Sequence, residues 1–396
     1  MKLLLALAIC LALTELGVRA ITTTNSETGV RMFGKVALLP YRPEPQAAYA
    51  SWENAQRSTY LVPDRELGWS IKPNGRSGAL TASAAGLRGA PGGAPSASVP
   101  AGKIRLSVYG DSFTHGDGVA LEDTWAVQLE RLRADVEVLN FGVPAYAADQ
   151  ALLRFRRDGR RFAAQVHILA IWPEDLVRNL SVARFYLAPG GNLSSSKPRF
   201  VLGPGGALVL VNSPVLAREE FLDSLLQKRV APVLALDYWY REDEQSFPPY
   251  YHLHGLRAAL SVHNAYQRQQ TRRRLYFEAE GEALQLAAAI AAAFRDEVEA
   301  LGARAYVALI PMRELVHEQA SGAFPLAGLL RSHAIEVLDF APAFASRAGE
   351  AGIGSLYLPD GHLTALGNRL IAEEIARGLA PQLERLALTS APGSAR

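Results

Sequence analysis

The order of strands and helices in this chain predicts an α/β fold, a three-layer α/β/α sandwich built on a central parallel sheet. Three observations carry the prediction. Short β-branched or apolar runs at 104–109, 136–139 and 166–171 alternate with stretches of helical spacing at 122–132 and 147–162. The alternation resumes with an Ala-rich helix at 278–301, strands at 305–310 and 335–338, and a helix over 363–375. Polar, glycine-containing turns follow strands directly, which is where open α/β sheets gather ligand groups.

The first strand, 104–109 (IRLSVY), runs into Gly110-Asp111-Ser112, and the second, 136–139, runs into Asn140-Phe141-Gly142-Val143-Pro144. Between the third strand and the late helix the rhythm breaks. Residues 198–211 (PRFVLGPGGALVLV) read as a β-hairpin around a Gly-Pro-Gly-Gly turn, and 216–228 as a helix. Residues 237–263 are rich in Tyr, Pro and His without clear periodicity, so 183–275 is predicted to be an inserted subdomain covering one end of the sheet. The main domain is expected at 103–386, with a frayed tail at 387–396. Residues 21–102 read as a lead-in, ending in an Ala/Gly/Ser/Pro-dense linker at 78–102.

Composition excludes several classes. An apolar fraction of 49% and a charged fraction of 20% belong to a folded protein. With 41 basic against 39 acidic side chains there is no whole-chain electrostatic case for nucleic acid. The basic runs at 154–161 and 268–274 read as solvated helix faces. Cys10 is the single cysteine, which removes internal disulfides, cysteine-based zinc sites and a cysteine nucleophile. No HExxH pair is present, and neither a metal nor a cofactor is expected.

Residues 1–20 read as a signal peptide or an N-terminal anchor. Lys2 precedes an unbroken apolar stretch at 3–13, closed by Glu15. Eleven residues suit a signal-peptide core better than a bilayer span, which needs about twenty. Val18-Arg19-Ala20 offers a cleavage site, and an uncleaved anchor is the close rival. Either way the folded part is expected outside the cytoplasm, periplasmic or secreted, with membrane association through the N-terminus in the second case.

Gly110-Asp111-Ser112 is the strongest local signal. A serine at the carboxyl end of a strand, opening a helix, can be a nucleophile whose neighbouring N–H groups face an oxyanion; it can equally be a helix cap. A serine hydroxyl needs an imidazole to take its proton, and the imidazole needs a carboxylate to orient it. Asp360-Gly361-His362, in a loop before the last helix, offers both. His115 reads as structural or solvent-facing, and Trp125 and Trp172 as core or cleft wall. Tyr250, Tyr251, His252 and His254 suit either a sugar-stacking face or the insertion's own core.

These blocks resemble the SGNH/GDSL hydrolases, over about 104–180 and 303–380. The resemblance implies a three-layer fold, a Ser112–His362–Asp360 triad, and an oxyanion hole that includes the backbone N–H groups of Ser112 and Gly142. The family's next block reads Gly-x-Asn-Asp, and its Asn completes that hole. Here the stretch is Trp172-Pro173-Glu174-Asp175, with Glu174 in the asparagine's place. An ionised Glu174 cannot donate; a protonated one can, and so can Asn179 one helical turn beyond Asp175. The Asp-x-His spacing is similar to that of SGNH-like polysaccharide O-acetyltransferases. The expected function is an exported serine-dependent acyl-ester hydrolase acting on acylated carbohydrate or lipid. The alternatives are an O-acetyltransferase with the same triad, and an inactive carbohydrate-binding or assembly protein. The expected partner is an acylated glycan or another small ester.

Overall fold

The computed structural model describes residues 1–25, 29–188 and 196–390, which fall into two compact units. Asn-Leu-Ser at 179–181 and at 192–194 matches a glycosylation sequon; the second copy and the last six residues of the expected tail lie outside the described residues.

One unit comprises 58–179, 198–211 and 275–396. Its centre is a five-stranded sheet formed by β1 (Ile104–Tyr109), β2 (Val136–Asn140), β3 (Val166–Ile171), β4 (Arg304–Leu309) and β5 (Val337–Asp339). The order is β5-β4-β3-β1-β2, and every pairing is parallel. The register sets Val166 of β3 against Leu106 on one side and Arg304 on the other. Parallel strands need long crossovers, and helices supply them. On one face lie α4 (Ala148–Arg157) and α7 (Glu282–Glu299); on the other lie α3 (Trp125–Leu132), α8 (Ala341–Ala351), α9 (Ala365–Gly378) and α10 (Ala380–Ser390). The α/β/α sandwich is therefore the observed architecture.

Covering both faces explains the strand sequences. All six residues of β1 and of β3 are buried. Because side chains alternate, Ile104, Leu106 and Val108 pack with Trp125, Leu129 and Ile371, while Tyr109 stacks on Phe141 and meets Phe155 and Phe294 edge-on. Each such aliphatic side chain contributes about 1.5–3 kcal/mol on burial. Helix α3 starts at Thr124, whose hydroxyl caps it, with a short 3₁₀ turn at Leu121–Asp123 ahead of it. Helix α4 ends at Arg157, earlier than its periodicity predicts, and a second 3₁₀ turn follows at Gly159–Arg161.

Residues 78–102 fold onto this unit in spite of their linker-like composition. Arg105 lies in β1 with its side chain 0% exposed, and its guanidinium donates to the carbonyl oxygens of Ser96 (2.9 Å) and Ser98 (3.0 Å) and to Glu137 (2.7 Å). A buried guanidinium needs acceptors, and this segment provides them. The hairpin at 199–211 also belongs here rather than with the rest of the expected insertion. Helix α10 continues through Ser390, so residues 387–390 are helical where a frayed end was expected.

The second unit comprises 1–57, 180–197 and 212–274. It contains α1 (Lys2–Ile21) and all but the last turn of α6 (His254–Phe277), a 24-residue helix. Among its internal ties, the Asp237 carboxylate accepts from the N–H groups of Val182 (2.6 Å) and Ala183 (2.9 Å), and Arg268 pairs with Glu244 at 2.6 Å.

Candidate active site

Ser112 opens α2 (Ser112–His115) at the carboxyl end of β1. The turn between them is sterically committed to glycine. A Cβ on Gly110 would lie 2.3 Å from Thr114 Oγ1 and 3.1 Å from the Ala170 carbonyl oxygen. Asp111 caps the helix, its Oδ1 accepting from the Phe113 N–H at 2.9 Å. As the first helical residue, Ser112 has no intrahelical acceptor for its own N–H. Its side chain is almost buried, at 6% exposure.

The partner loop lies between a buried Tyr357 and α9. The Leu358 N–H donates to the His362 carbonyl at 2.7 Å, and Thr364 caps α9 by accepting from the Gly367 N–H at 3.1 Å. These bonds fix both ends of Asp360-Gly361-His362. His362 Nε2 stands 3.0 Å from Ser112 Oγ, and His362 Nδ1 stands 3.1 Å from Asp360 Oδ2. With Nδ1 protonated, the imidazole donates to Asp360 and accepts the Ser112 hydroxyl proton at Nε2. Asp360 Oδ1 also accepts from the His362 backbone N–H at 3.1 Å. The Phe113 ring lies 5.4 Å from the imidazole and 4.5 Å from Trp172.

Hydrogen bonding from His362 holds the Asp360 carboxyl below the usual carboxylate range. The Asp360 side chain is nevertheless 62% exposed, so water screens its charge. Replacing it should therefore be milder than replacing a buried triad aspartate, a change that costs about 10⁴-fold. Asp360→Asn is expected to lower kcat by about ten- to hundredfold, against a much larger loss for His362→Ala. Equal losses in the two variants, measured under saturating ester, would contradict this ordering.

The predicted oxyanion groups are distributed differently. The Gly142 N–H is engaged, donating to Asn140 Oδ1 at 2.9 Å, while Asn140 Nδ2 donates to the Thr114 carbonyl at 2.7 Å. Asn140 thus ties the end of β2 to α2, and Gly142 packs closely against the same helix. A Cβ there would lie 2.4 Å from the His115 nitrogen and 2.8 Å from the Thr114 carbonyl carbon, both rigid backbone. Gly142→Ala is expected to destabilise the fold by about 1–3 kcal/mol through overpacking, read as a lower urea midpoint. An unchanged midpoint would show that α2 can give way.

Glu174 lies in α5 (Pro173–Arg178), where its Oε2 accepts from the Tyr276 hydroxyl at 2.6 Å. Asn179 follows as the residue capping that helix, its N–H donating to the Asp175 carbonyl at 2.8 Å, one turn back as predicted. Asn179 is fully buried, which closes its sequon to glycosylation in the folded chain. Its Oδ1 accepts from the Asp149 N–H at 3.2 Å, and its Nδ2 has no partner among the described residues. The structure thus joins Ser112, His362 and Asp360 by hydrogen bonds, and gives Gly142, Glu174 and Asn179 bonds to other groups. His115 is buried, hydrogen-bonded to the Tyr60 hydroxyl at 2.5 Å and to Asp117, and burial lowers its pKa. Trp125 is core, and Trp172 is half-buried.

Sequence reading missed a cluster beneath Ser112. Arg178 Nη1 donates to Asp111 Oδ2 at 3.1 Å and to the Tyr146 carbonyl at 3.0 Å, and lies 3.7 Å from Asp175 Oδ1. Its guanidinium carbon stands 5.1 Å from the centre of the Trp172 ring. Burial raises the carboxyl pKa of Asp111 and raises that of Asp175 well above the usual range, and the Asp111 charge adds to the rise at Asp175. The sequence contained one signal for this cluster, the Asp175/Arg178 spacing of three on a short helix.

No protein-family model and no curated protein matches the chain. Among solved structures it is similar to a member of the lipolytic protein G-D-S-L family from Veillonella parvula. The identity is 11%, over 69% of this chain and 97% of that one, with a TM-score of 0.31. It is also similar to a lipase/acylhydrolase from Enterococcus faecalis, with 11% identity over 70% of this chain and 96% of that one and a TM-score of 0.31. A third is a catalytic mutant of an acetylxylan esterase from Geobacillus stearothermophilus, with 11% identity over 71% of this chain and 95% of that one and a TM-score of 0.37. These likenesses are distant, and the chemistry of the site rests on its own distances.

Proposed function

We propose that the chain is a serine-dependent acyl-ester hydrolase, with Ser112 as nucleophile, His362 as general base and acid, and Asp360 as the group that orients the imidazole. The observation that carries this reading is the continuous hydrogen-bonded line from Ser112 Oγ through both ring nitrogens of His362 to Asp360, at 3.0 and 3.1 Å. Ser112 Oγ attacks the acyl carbonyl while Nε2 takes its proton. The Ser112 N–H, unspent at the start of α2, receives the developing oxyanion. His362 then protonates the departing alkoxide, leaving an acyl-Ser112 ester. Water, deprotonated by the same nitrogen, attacks that ester and releases the acid. The substrate class, an acyl ester on carbohydrate or lipid, and the exported location follow from the motif resemblance and from the N-terminal segment.

The acyl-enzyme can also be resolved by a sugar hydroxyl, which makes the same site an O-acetyltransferase. Two measurements test the reading. A fluorophosphonate probe should label the wild-type chain and leave Ser112→Ala unlabelled; an unlabelled wild type would identify an inactive scaffold. Release of acetate from 4-nitrophenyl acetate, with and without an acceptor glycan, then separates hydrolysis from transfer. Acetate release slowed by glycan, with the acetyl group recovered on the sugar, would replace the hydrolase by the transferase.

A further inference from the structure

The last two turns of the N-terminal helix are hydrogen-bonded into the fold of its unit. Glu15, two-thirds of the way along α1, accepts from the backbone N–H groups of His254 (2.9 Å) and Gly255 (2.8 Å). These are orphan donors at the start of α6, so Glu15 caps a helix some 240 residues away. Arg19, paired with Glu15 at 2.7 Å, donates to the His252 carbonyl at 3.2 Å. Removing residues 1–20 would strip α6 of this cap.

A cluster of exposed apolar side chains surrounds the same junction. Phe247, Tyr250, Leu253 and Leu256 are 44%, 48%, 54% and 42% exposed. The Phe247 ring lies 5.2 Å from that of His252, whose carbonyl receives Arg19. Tyr250 packs edge-on against Tyr251 at 5.1 Å. Ahead of the junction, Leu4, Leu5, Ile9, Leu11 and Leu13 of α1 are all exposed. Both sets of exposed apolar side chains thus flank, along the chain, the residues that Glu15 and Arg19 tie together.

We propose that α1 is retained in the working protein, and that Phe247, Tyr250, Leu253 and Leu256 form a collar that seats this unit in the interfacial layer of a lipid bilayer. Length supports this occupant. With Glu15 and Arg19 held at the junction, the apolar run of 3–13 rises about 16 Å, against about 30 Å of hydrocarbon. So short an anchor reduces its mismatch by drawing the folded unit down to the membrane. A collar of Phe, Tyr and Leu is the chemistry that the interface accepts, with the Tyr hydroxyl left at headgroup level. The inference does not depend on the acyl-ester reading.

The test uses the full chain reconstituted in phosphatidylcholine vesicles. Cys10 is the chain's single cysteine and takes a fluorophore directly; Leu253→Cys and Leu256→Cys, each in a Cys10→Ser background, take the same label. Spin-labelled lipid should quench all three positions, the two collar sites best with shallow labels. Quenching at Cys10 with none at 253 and 256 would overturn the collar, and so would no quenching anywhere. Collar sites shielded from aqueous quencher but untouched by spin-labelled lipid, with a doubled mass in detergent, would assign the patch to a second copy. The mass of the chain recovered from an exporting host should retain residues 1–20; a chain beginning at Ile21 would overturn retention.

Discussion

Ser112→Ala and His362→Ala are each expected to lower kcat on an acyl ester by about 10⁴-fold or more, with KM little changed. Ser112 Oγ and His362 Nε2 are in contact at 3.0 Å. Without Nε2 as acceptor, the hydroxyl must lose its proton to water. Without Oγ, the imidazole can at best activate a water that nothing positions. Because the two groups act in one step, their effects should not add. The double variant should be no slower than the worse single one, whereas independent sites would multiply to about 10⁸-fold. Ser112 opens a short helix and His362 lies in a loop, so circular dichroism and urea midpoints should match wild type. A multiplicative double variant would mean that His362 serves the reaction by some route other than Ser112.

The legible parts of this site were those written locally. β1 and β3 were readable because burial on both faces forces continuous apolar runs, and Ser112, Asp360 and His362 because each follows a strand or precedes a helix in a glycine-containing turn. What stayed illegible depended on distant partners. The first half of α6 looked irregular because Leu256, Val262 and Tyr266 are exposed, leaving no buried apolar stripe to reveal the period. Its start is capped by Glu15, not by a neighbour in sequence. The linker-like 78–102 became ordered through Arg105, a charge hidden in a strand. Glu174 read as a gap in an oxyanion hole, and the structure shows it bonded to Tyr276, 102 residues away.

Arg178→Met is expected to cost about 3–5 kcal/mol of stability at neutral pH, the penalty for leaving buried charge uncompensated. Asp111 is 3% exposed and Asp175 1%, and Arg178 is the cation in contact with both. The pH dependence has a definite sign. Both carboxyls have folded-state pKa values raised above the ordinary aspartate range, so their contribution is most favourable below the unfolded pKa and is lost as pH rises through the folded value. Without the guanidinium those values rise further. The deficit of Arg178→Met relative to wild type should therefore shrink as the medium is acidified toward the carboxyl range and grow toward neutrality. Adding Asp175→Asn to Arg178→Met removes one of the two charges and should restore part of the loss. Arg178→Lys should not match the wild type, because one Nη1 serves both Asp111 and the Tyr146 carbonyl and a shorter ammonium cannot keep both bonds. Activity should fall with stability, since Asp111 also caps the helix that begins with Ser112. If urea midpoints for Arg178→Met showed a deficit independent of pH, the cluster would be acting through packing against Trp172 rather than through charge.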